Sequence, residues 1–117
     1  SNIMIKNAPT PVEPQLWTKS TILLPALTTT TVFSSPLTAL HHGDFIMNFK
    51  STVSGRERSL KFQVVNDDGT LNDQVYAKTL APIDVDVNAV TSGPTFNLNC
   101  VNNESFDVSL TLVKLII

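Results

Sequence analysis

The chain of 117 residues has little cysteine, glycine and charge. Its one cysteine, Cys100, excludes an internal disulfide and a cysteine-based metal cluster within one chain. The chain has four glycines, one for each turn, so none remains for a glycine-rich loop that binds phosphate. Charged residues make up 15%, against about a quarter in typical soluble domains. Threonine, asparagine and serine take their place, which favours solvated strand faces.

Positive charge is scarce and scattered. The net charge is −2, and the one close basic group, Arg56-Glu57-Arg58, contains its own acid. Phosphate binding needs a clustered positive field, so we expect no nucleic-acid partner. The longest apolar run, near the C-terminus, is too short to span a bilayer, so we expect no membrane insertion.

What the chain does have is the two-residue alternation of half-buried strands. Apolar and polar residues alternate in five segments, at residues 45–49, 60–64, 83–89, 96–100 and 106–112. Turn-forming residues separate the runs, at Gly43-Asp44, Asn66-Asp67-Asp68-Gly69, Ser92-Gly93-Pro94 and 102–104. The pattern predicts an all-β, antiparallel β-sandwich of about eight strands. We interpret Cys100 as a small residue of the core.

The first residues differ from the rest. Pro9, Pro11 and Pro14 block helix and central strand, so residues 1–20 are predicted to be an extended arm or linker and residues 21–117 the sandwich domain. Trp17, at the end of the arm, is expected to anchor it against the sandwich.

The last strand is apolar on both faces. Leu112, Val113, Leu115, Ile116 and Ile117 interrupt the alternation that precedes them. A strand of this kind is buried on both faces, and an open apolar edge promotes aggregation. We predict that these five residues form a subunit interface; cover by the arm of the same chain is the alternative.

Three segments resemble one family. They are the Thr/Ser-rich strand followed by residues 43–49, GDFIMNF; residues 58–69, RSLKFQVVNDDG; and the last strand. Together they resemble the jelly-roll heads of the tumour-necrosis-factor and C1q type, in particular the small trimeric heads of phage fibres, needles and spikes. The resemblance implies a jelly-roll homotrimer around a threefold axis, preceded by a fibrous shaft and located in the virion.

No constellation for catalysis stands out, so we expect no enzyme, no metal and no cofactor. His41 and His42 are adjacent, and on a strand their rings point to opposite faces. Asp84 and Asp86 share a face, but a calcium site needs more oxygen ligands than a flat strand offers. No nucleophile has a base at a recognisable spacing.

The leading hypothesis is a phage structural protein, the distal receptor-binding knob of a fibre or needle, whose partners are itself and a host glycan or protein. A capsid or decoration subunit and a carbohydrate-binding module of a secreted protein remain alternatives. Sugar sites combine an aromatic platform with polar hydrogen-bonding groups. The candidate receptor or glycan contacts, placed in or near predicted loops, are Trp17, Arg56, Asn72, Asp73 and Tyr76.

Overall fold

The computed structural model describes residues 17–79 and 83–117, and they form an all-β sandwich. In chain order its strands are β1 (Thr18–Leu24), β2 (Thr29–Pro36), β3 (His42–Ser51), β4 (Glu57–Asp67), β5 (Thr70–Lys78), β6 (Val85–Ser92), β7 (Thr95–Asn102) and β8 (Val108–Ile116). A short 3-10 helix, Leu37–Ala39, connects β2 to β3. Across the described ranges, no helix has the length and apolar character that crossing a membrane requires. The predicted class and strand number are confirmed.

The strands form two antiparallel sheets of unequal size. The larger has the order β1-β8-β3-β4-β5 and the smaller the order β2-β7-β6. Pairing of the first strand with the last, and of the second with the second-last, is that of a jelly roll. The rest departs from it: β3, β4 and β5 form a meander in one sheet, whereas a complete jelly roll places its third and fourth strands in different sheets.

The core lies between the two sheets, where the alternating apolar residues meet. The residues that are fully or almost fully buried are Leu24, Leu40, Phe45, Met47, Phe49, Leu60, Phe62, Val64, Ile83, Val85, Phe96, Leu98, Cys100, Val108, Leu110 and Leu112. The inward positions therefore match the sequence prediction, since an antiparallel sheet with one wet face needs one apolar side.

The hairpin between β4 and β5 confirms the predicted Asp-Gly turn. Asp68 and Gly69 both have positive φ, at 50° and 92°, the combination that a two-residue type I′ loop requires. Asn66 Oδ1 accepts a hydrogen bond from the Gly69 N–H at 2.8 Å. Asp67 pairs with Thr70, so the two flanking strands are direct partners.

The turn predicted at Gly43-Asp44 is wrong, because both residues lie inside β3. Glycine is needed there for packing: a Cβ on Gly43 would lie 2.8 Å from Phe45 Cε2 and 3.3 Å from Val64 Cγ1. The chain reverses direction earlier, in the 3-10 helix Leu37–Ala39.

The predicted arm falls mostly outside the described residues. β1 begins at Thr18, so Thr18, Lys19 and Ser20 belong to the first strand. Trp17, just before it, remains 47% exposed, so its indole is only partly covered by the sandwich. The arm itself stays a prediction.

Candidate functional site

The five-stranded sheet turns one face away from the core, and we call it the outer face. On β3, Phe45 and Met47 are fully buried, whereas the intervening Asp44, Ile46 and Asn48 are only half-buried. The same alternation runs along β4 and the first half of β8. Because side chains on a strand alternate between faces, these intervening residues form the outer face.

An apolar strip crosses the middle of the outer face. Val113 of β8 is in register with Ile46 of β3, and Leu115 follows two residues along β8. We call these three half-buried residues the apolar strip. Most of the remaining outer face is polar, with Leu23 of β1 and Val65 of β4 as further exposed apolar residues. An apolar centre with a mostly polar rim is the arrangement of a protein interface.

The structure divides the predicted interface residues between the two faces of the sheet. Leu112 is completely buried in the core, and Ile116 packs against the core. Leu112 is therefore not available to another subunit, which corrects the prediction for this residue, whereas Ile116 stays half-buried. Val113 and Leu115 lie in the apolar strip, and Ile117 is 52% exposed at the end of β8.

The last strand is not an edge, contrary to the premise of that prediction. β8 lies between β1 and β3, and both of its edges are hydrogen-bonded. One edge of β8 is covered by β1 of the same chain. Cover by the predicted arm lies mostly outside the described residues and stays a prediction. What remains open is the outer face of β8, where Val113 and Leu115 lie.

A polar patch adjoins the apolar strip and is centred on Asp44, the neighbour of Leu115 across the sheet. His42 Nε2 lies 3.4 Å from Asp44 Oδ2, and the Tyr76 hydroxyl donates to Asp44 Oδ1 at 3.4 Å. Partial burial and then the Asp44 carboxylate raise the pKa of Tyr76, because both disfavour a phenolate. We call His42, Asp44 and Tyr76 the polar patch.

The polar patch continues along β4 and β5 into a shallow depression. Asp44 is in register with Gln63, and Gln63 with Gln74. The depression has a volume of about 150 Å³, and its lining residues are Gln63, Val65, Asn72, Asp73 and Gln74. An exposed tyrosine next to amide groups is the combination that hydrogen-bonds and stacks against sugars.

Three of the five predicted glycan contacts lie on one strand, where Asn72 is in register with the outward-facing Val65 and Asp73 with the inward-facing Val64. Asn72, Asp73 and Tyr76 all lie on β5, in a strand and not in the predicted loops. Arg56 precedes β4, at the other end of that strand from Val65, the partner of Asn72. Trp17 precedes β1, at the opposite edge of the sheet from β5.

Three of the groups considered for metal binding, Asp84, Asp86 and His42, contact other side chains. Asn103 Nδ2 donates to Asp84 Oδ1 at 3.1 Å and to Asp86 Oδ2 at 3.0 Å. His42 faces Asp44, while His41 is exposed. In residues 17–79 and 83–117, no three His, Cys, Asp or Glu side chains come together as a metal site.

Cys100 is a core residue, as predicted. It is fully buried on β7, and desolvation raises the pKa of its thiol from the usual 9.0 to about 12. A thiol that stays protonated and buried is a poor nucleophile.

One charged residue lies inside, a position that the sequence analysis did not predict. Arg58 is only 8% exposed, and its Nη1 donates to the Ile83 carbonyl at 2.7 Å. Its Nε has no hydrogen-bond partner in the described part of the chain. The alternation of β4 could have predicted this position. Leu60, Phe62 and Val64 point inward, and residue 58, two positions before Leu60, lies on the same face of the strand.

These features define an antiparallel β-sandwich. Its outer face carries the apolar strip and the polar patch, and no described part of the chain covers it. No protein-family model matches the chain, and no curated protein matches it. Among solved structures, the chain is similar to the tailspike protein of Acinetobacter baumannii phage AM24, with a TM-score of 0.52 and 10% sequence identity. The match covers 87% of this chain and 26% of the tailspike chain, so the chain spans about a quarter of that protein. At this identity the likeness shows the fold.

Proposed function

We propose that the chain is a β-sandwich domain of a phage tail fibre, needle or spike, that it self-associates as a trimer through its outer face, and that it contacts the host surface. Its location would then be the virion tail. The apolar strip carries the proposal, because Ile46, Val113 and Leu115 are apolar side chains on a sheet face that no described part of the chain covers.

The outer face of the smaller sheet supplies the contrast. There the side chains bond to each other: Thr31 Oγ1 donates to Asn99 Oδ1 at 2.7 Å, and Ser34 Oγ donates to Asn97 Oδ1 at 2.7 Å. Polar groups satisfied in this way gain little from a partner. The larger sheet also has such bonds, from Asn48 Nδ2 to Glu57 and from Ser59 Oγ to Asn48 Oδ1. Because it also carries the apolar strip, it is the face that we expect to associate.

The likeness to a phage tailspike supports the phage assignment at the level of the fold. Since the match covers 26% of the tailspike, we propose that this sandwich is likewise one part of a longer tail assembly.

Mass in solution, measured by light scattering at micromolar concentration, tests the self-association. Wild type should have the mass of a trimer, and Val113→Asp should lower it, because a carboxylate in an apolar interface loses its hydration. Val90→Asp is the matched control, since Val90 is 37% exposed on β6 of the smaller sheet. A monomeric wild type, or equal loss of mass in both variants, would contradict the proposal.

The second part of the proposed function is contact with the host surface through the polar patch. An array of bacterial surface glycans probed with wild type should give specific binding, and Tyr76→Ala should remove it because the tyrosine is 43% exposed beside Asp44. Arg56→Ala, at the far end of β4, is the control that should keep binding. An array on which wild type binds no glycan would leave this component without support.

A capsid or decoration subunit is separated from a tail domain by the role of the first residues. Removing residues 1–16, which leaves β1 intact, should still permit association through the apolar strip of a tail domain. Complete loss of assembly would favour the capsid alternative.

A further inference from the structure

A groove opens on the side of the sandwich where β5 and β6 form the free edges of their sheets. The larger sheet has five strands and the smaller three, so β5 extends past β6, and every β5 residue except Leu71 is exposed. Val75 shows the consequence, because it is in register with the buried Phe62 and yet is 44% exposed. The described part of the chain therefore does not give the inward face of β5 the cover that facing sheets normally give each other.

The groove is small and mostly aliphatic, with an excess of positive charge. Four aliphatic residues line it, together with two cations, Arg58 and Lys78, and one acid, Asp86. Its volume is about 280 Å³. Sites for small molecules typically measure about 300–1,000 Å³, so this groove is better suited to a few side chains of an extended segment.

Arg58 is a buried cation whose hydrogen bonds are incomplete. It is 8% exposed, its Nη1 donates to the Ile83 carbonyl at 2.7 Å, and its Nε has no partner among the described residues. The one ion pair within those residues is His42–Asp44. A buried guanidinium is costly unless a carboxylate and hydrogen bonds compensate its lost hydration. The ligand group that fits Arg58 is therefore a carboxylate.

Asp86 is the carboxylate of the chain that lies at the groove. Its Oδ2 accepts from Asn103 Nδ2 at 3.0 Å, and no ion pair joins it to Arg58. On β6 it is exposed and stands between the inward-facing Val85 and Val87, so its side chain starts from the opposite face of the strand. Its Oδ1 remains a competing partner for Arg58, and an Asp86→Asn variant distinguishes the two cases.

We propose that the groove binds an extended segment of another polypeptide, which adds a strand to the free edge of β6 and places an acidic side chain against Arg58. Among the described strands β6 pairs with β7 alone, so its other edge presents backbone donors and acceptors to an added strand. Such a strand would lie opposite β5 and cover Val75. Among the described residues that line the groove none is aromatic, so the groove has no stacking platform for a sugar.

The spacing of inward residues on β4 indicates which sequence the segment needs. Arg58, Leu60 and Phe62 point inward at intervals of two residues, and Val75 is level with Phe62. A strand that lies over them alternates with the same period. An acidic side chain against Arg58 therefore has aliphatic side chains two and four residues away, which pack on Leu60 and Val75. The partner is thus an extended segment with one acidic and two aliphatic residues on the same face.

Arginine side-chain N–H signals in a ¹⁵N–¹H spectrum of the full chain test this contact. The probe is the blocked peptide Thr-Glu-Thr-Val-Thr-Val-Thr, whose Glu and two Val share one face when extended. At millimolar peptide the Arg58 Nε–H signal should shift, and so should backbone N–H signals of β6. The chain has two arginines, and Arg56 is exposed, so its Nε–H signal should stay and serves as the internal control. Arg56→Lys assigns the two signals.

Three further probes separate the elements of recognition. The peptide with Gln in place of Glu should leave the Arg58 signal unshifted. The order Thr-Glu-Val-Thr-Val-Thr-Thr, which puts Val and Glu on opposite faces, should bind more weakly. Sodium acetate, a carboxylate without a strand, should not move the β6 signals. An Arg58 signal that the first peptide does not move, equal effects of the Glu and Gln peptides or of the two orders, or acetate acting as the peptide does would overturn the inference.

Val75→Glu changes the groove at a partly exposed position and leaves the core intact. It should weaken binding of the peptide about tenfold, because a carboxylate there repels the acid of the peptide. Val65→Glu is the matched control, since Val65 is 36% exposed on the outer face of β4. Equal effects of the two variants would contradict a contact in the groove.

Asp86→Asn tests the competing partner in the free protein. The Arg58 Nε–H signal should stay at its wild-type position, and a shift as large as that caused by the peptide would make Asp86 the partner of Arg58 and overturn the inference. The groove contact does not depend on the outer face, so the two proposals fail separately. A mass that depends on Val113 without a response to the peptide leaves the self-association standing, and a monomer that responds to the peptide leaves the groove contact standing.

Discussion

Asn102 and Leu24 are 78 residues apart in sequence, and the Asn102 side-chain amide donates to the Leu24 carbonyl at 3.0 Å. The same amide donates to the Phe106 carbonyl at 3.0 Å, and Asn102 Oδ1 accepts from the Glu104 N–H at 2.9 Å. Asn102 is 1% exposed. One buried amide thus joins the end of β7, the end of β1 and the turn before β8.

Asn102→Ala should lower the free energy of unfolding by about 2–4 kcal/mol, because it leaves buried backbone carbonyls without a donor. Urea unfolding measures the change. Asn88→Ala is the control: Asn88 is exposed on β6, so its loss should cost little. Equal costs for the two variants would mean that the buried network contributes nothing.

Gly43→Ala should destabilise the sandwich by about 1–3 kcal/mol, since the added Cβ has to displace the Phe45 ring in a packed core. Thermal unfolding is a suitable measurement. Gly55→Ala provides the matched change, because a Cβ there meets nothing within 4 Å. A Gly43→Ala protein as stable as wild type would show that the core yields at this point.

Asp44→Asn should lower the pKa of Tyr76, because the neutral amide no longer repels the phenolate. The chain has one tyrosine, so an ultraviolet titration follows Tyr76 alone. Burial also raises this pKa, so part of the elevation should persist. Glu57→Gln, elsewhere on the outer face, should leave the titration unchanged; a shift in both variants would point to general surface charge.

Cys100 should make the folded protein less stable at alkaline pH. Its pKa in the folded protein, about 12, is above the usual 9.0. The stability that the buried, protonated thiol provides is therefore fully present below pH 9 and declines as pH rises towards 12. Urea unfolding of wild type and Cys100→Ala at several pH values isolates this contribution, because the lysines and Tyr76 are common to both. If the free energies of unfolding of the two proteins changed in parallel with pH, the prediction for Cys100 would be refuted. A thiol reagent should label Cys100 only after unfolding.

Local pattern predicted the parts of the fold that depend on neighbouring residues. The inward series of β3, β4, β7 and β8 and the Asp68-Gly69 turn follow from alternation and backbone preference. Gly43 shows where this fails, because a glycine in a turn and a glycine beneath an aromatic ring look the same in sequence. Only the position of Phe45 distinguishes them.

The candidate sites depended more on contacts that are distant in sequence. Tyr76 had the right chemistry, but its contact with Asp44 requires the registers of β3, β4 and β5. Arg58 could have been placed inward from the alternation of β4. None of the carboxylates in the described residues pairs with Arg58, and this depends on how all the strands are arranged in space.

Side-chain alternation and turn chemistry are local, so the sequence alone was enough to predict an antiparallel sandwich of about eight strands. Which strands are neighbours is known only from the three-dimensional structure. It placed β8 between β1 and β3, so the apolar final strand has paired edges and an open face, with Leu112 and Ile116 inside and Val113 and Leu115 outside. Strand order depends on pairing between residues far apart in the chain, which no local pattern specifies.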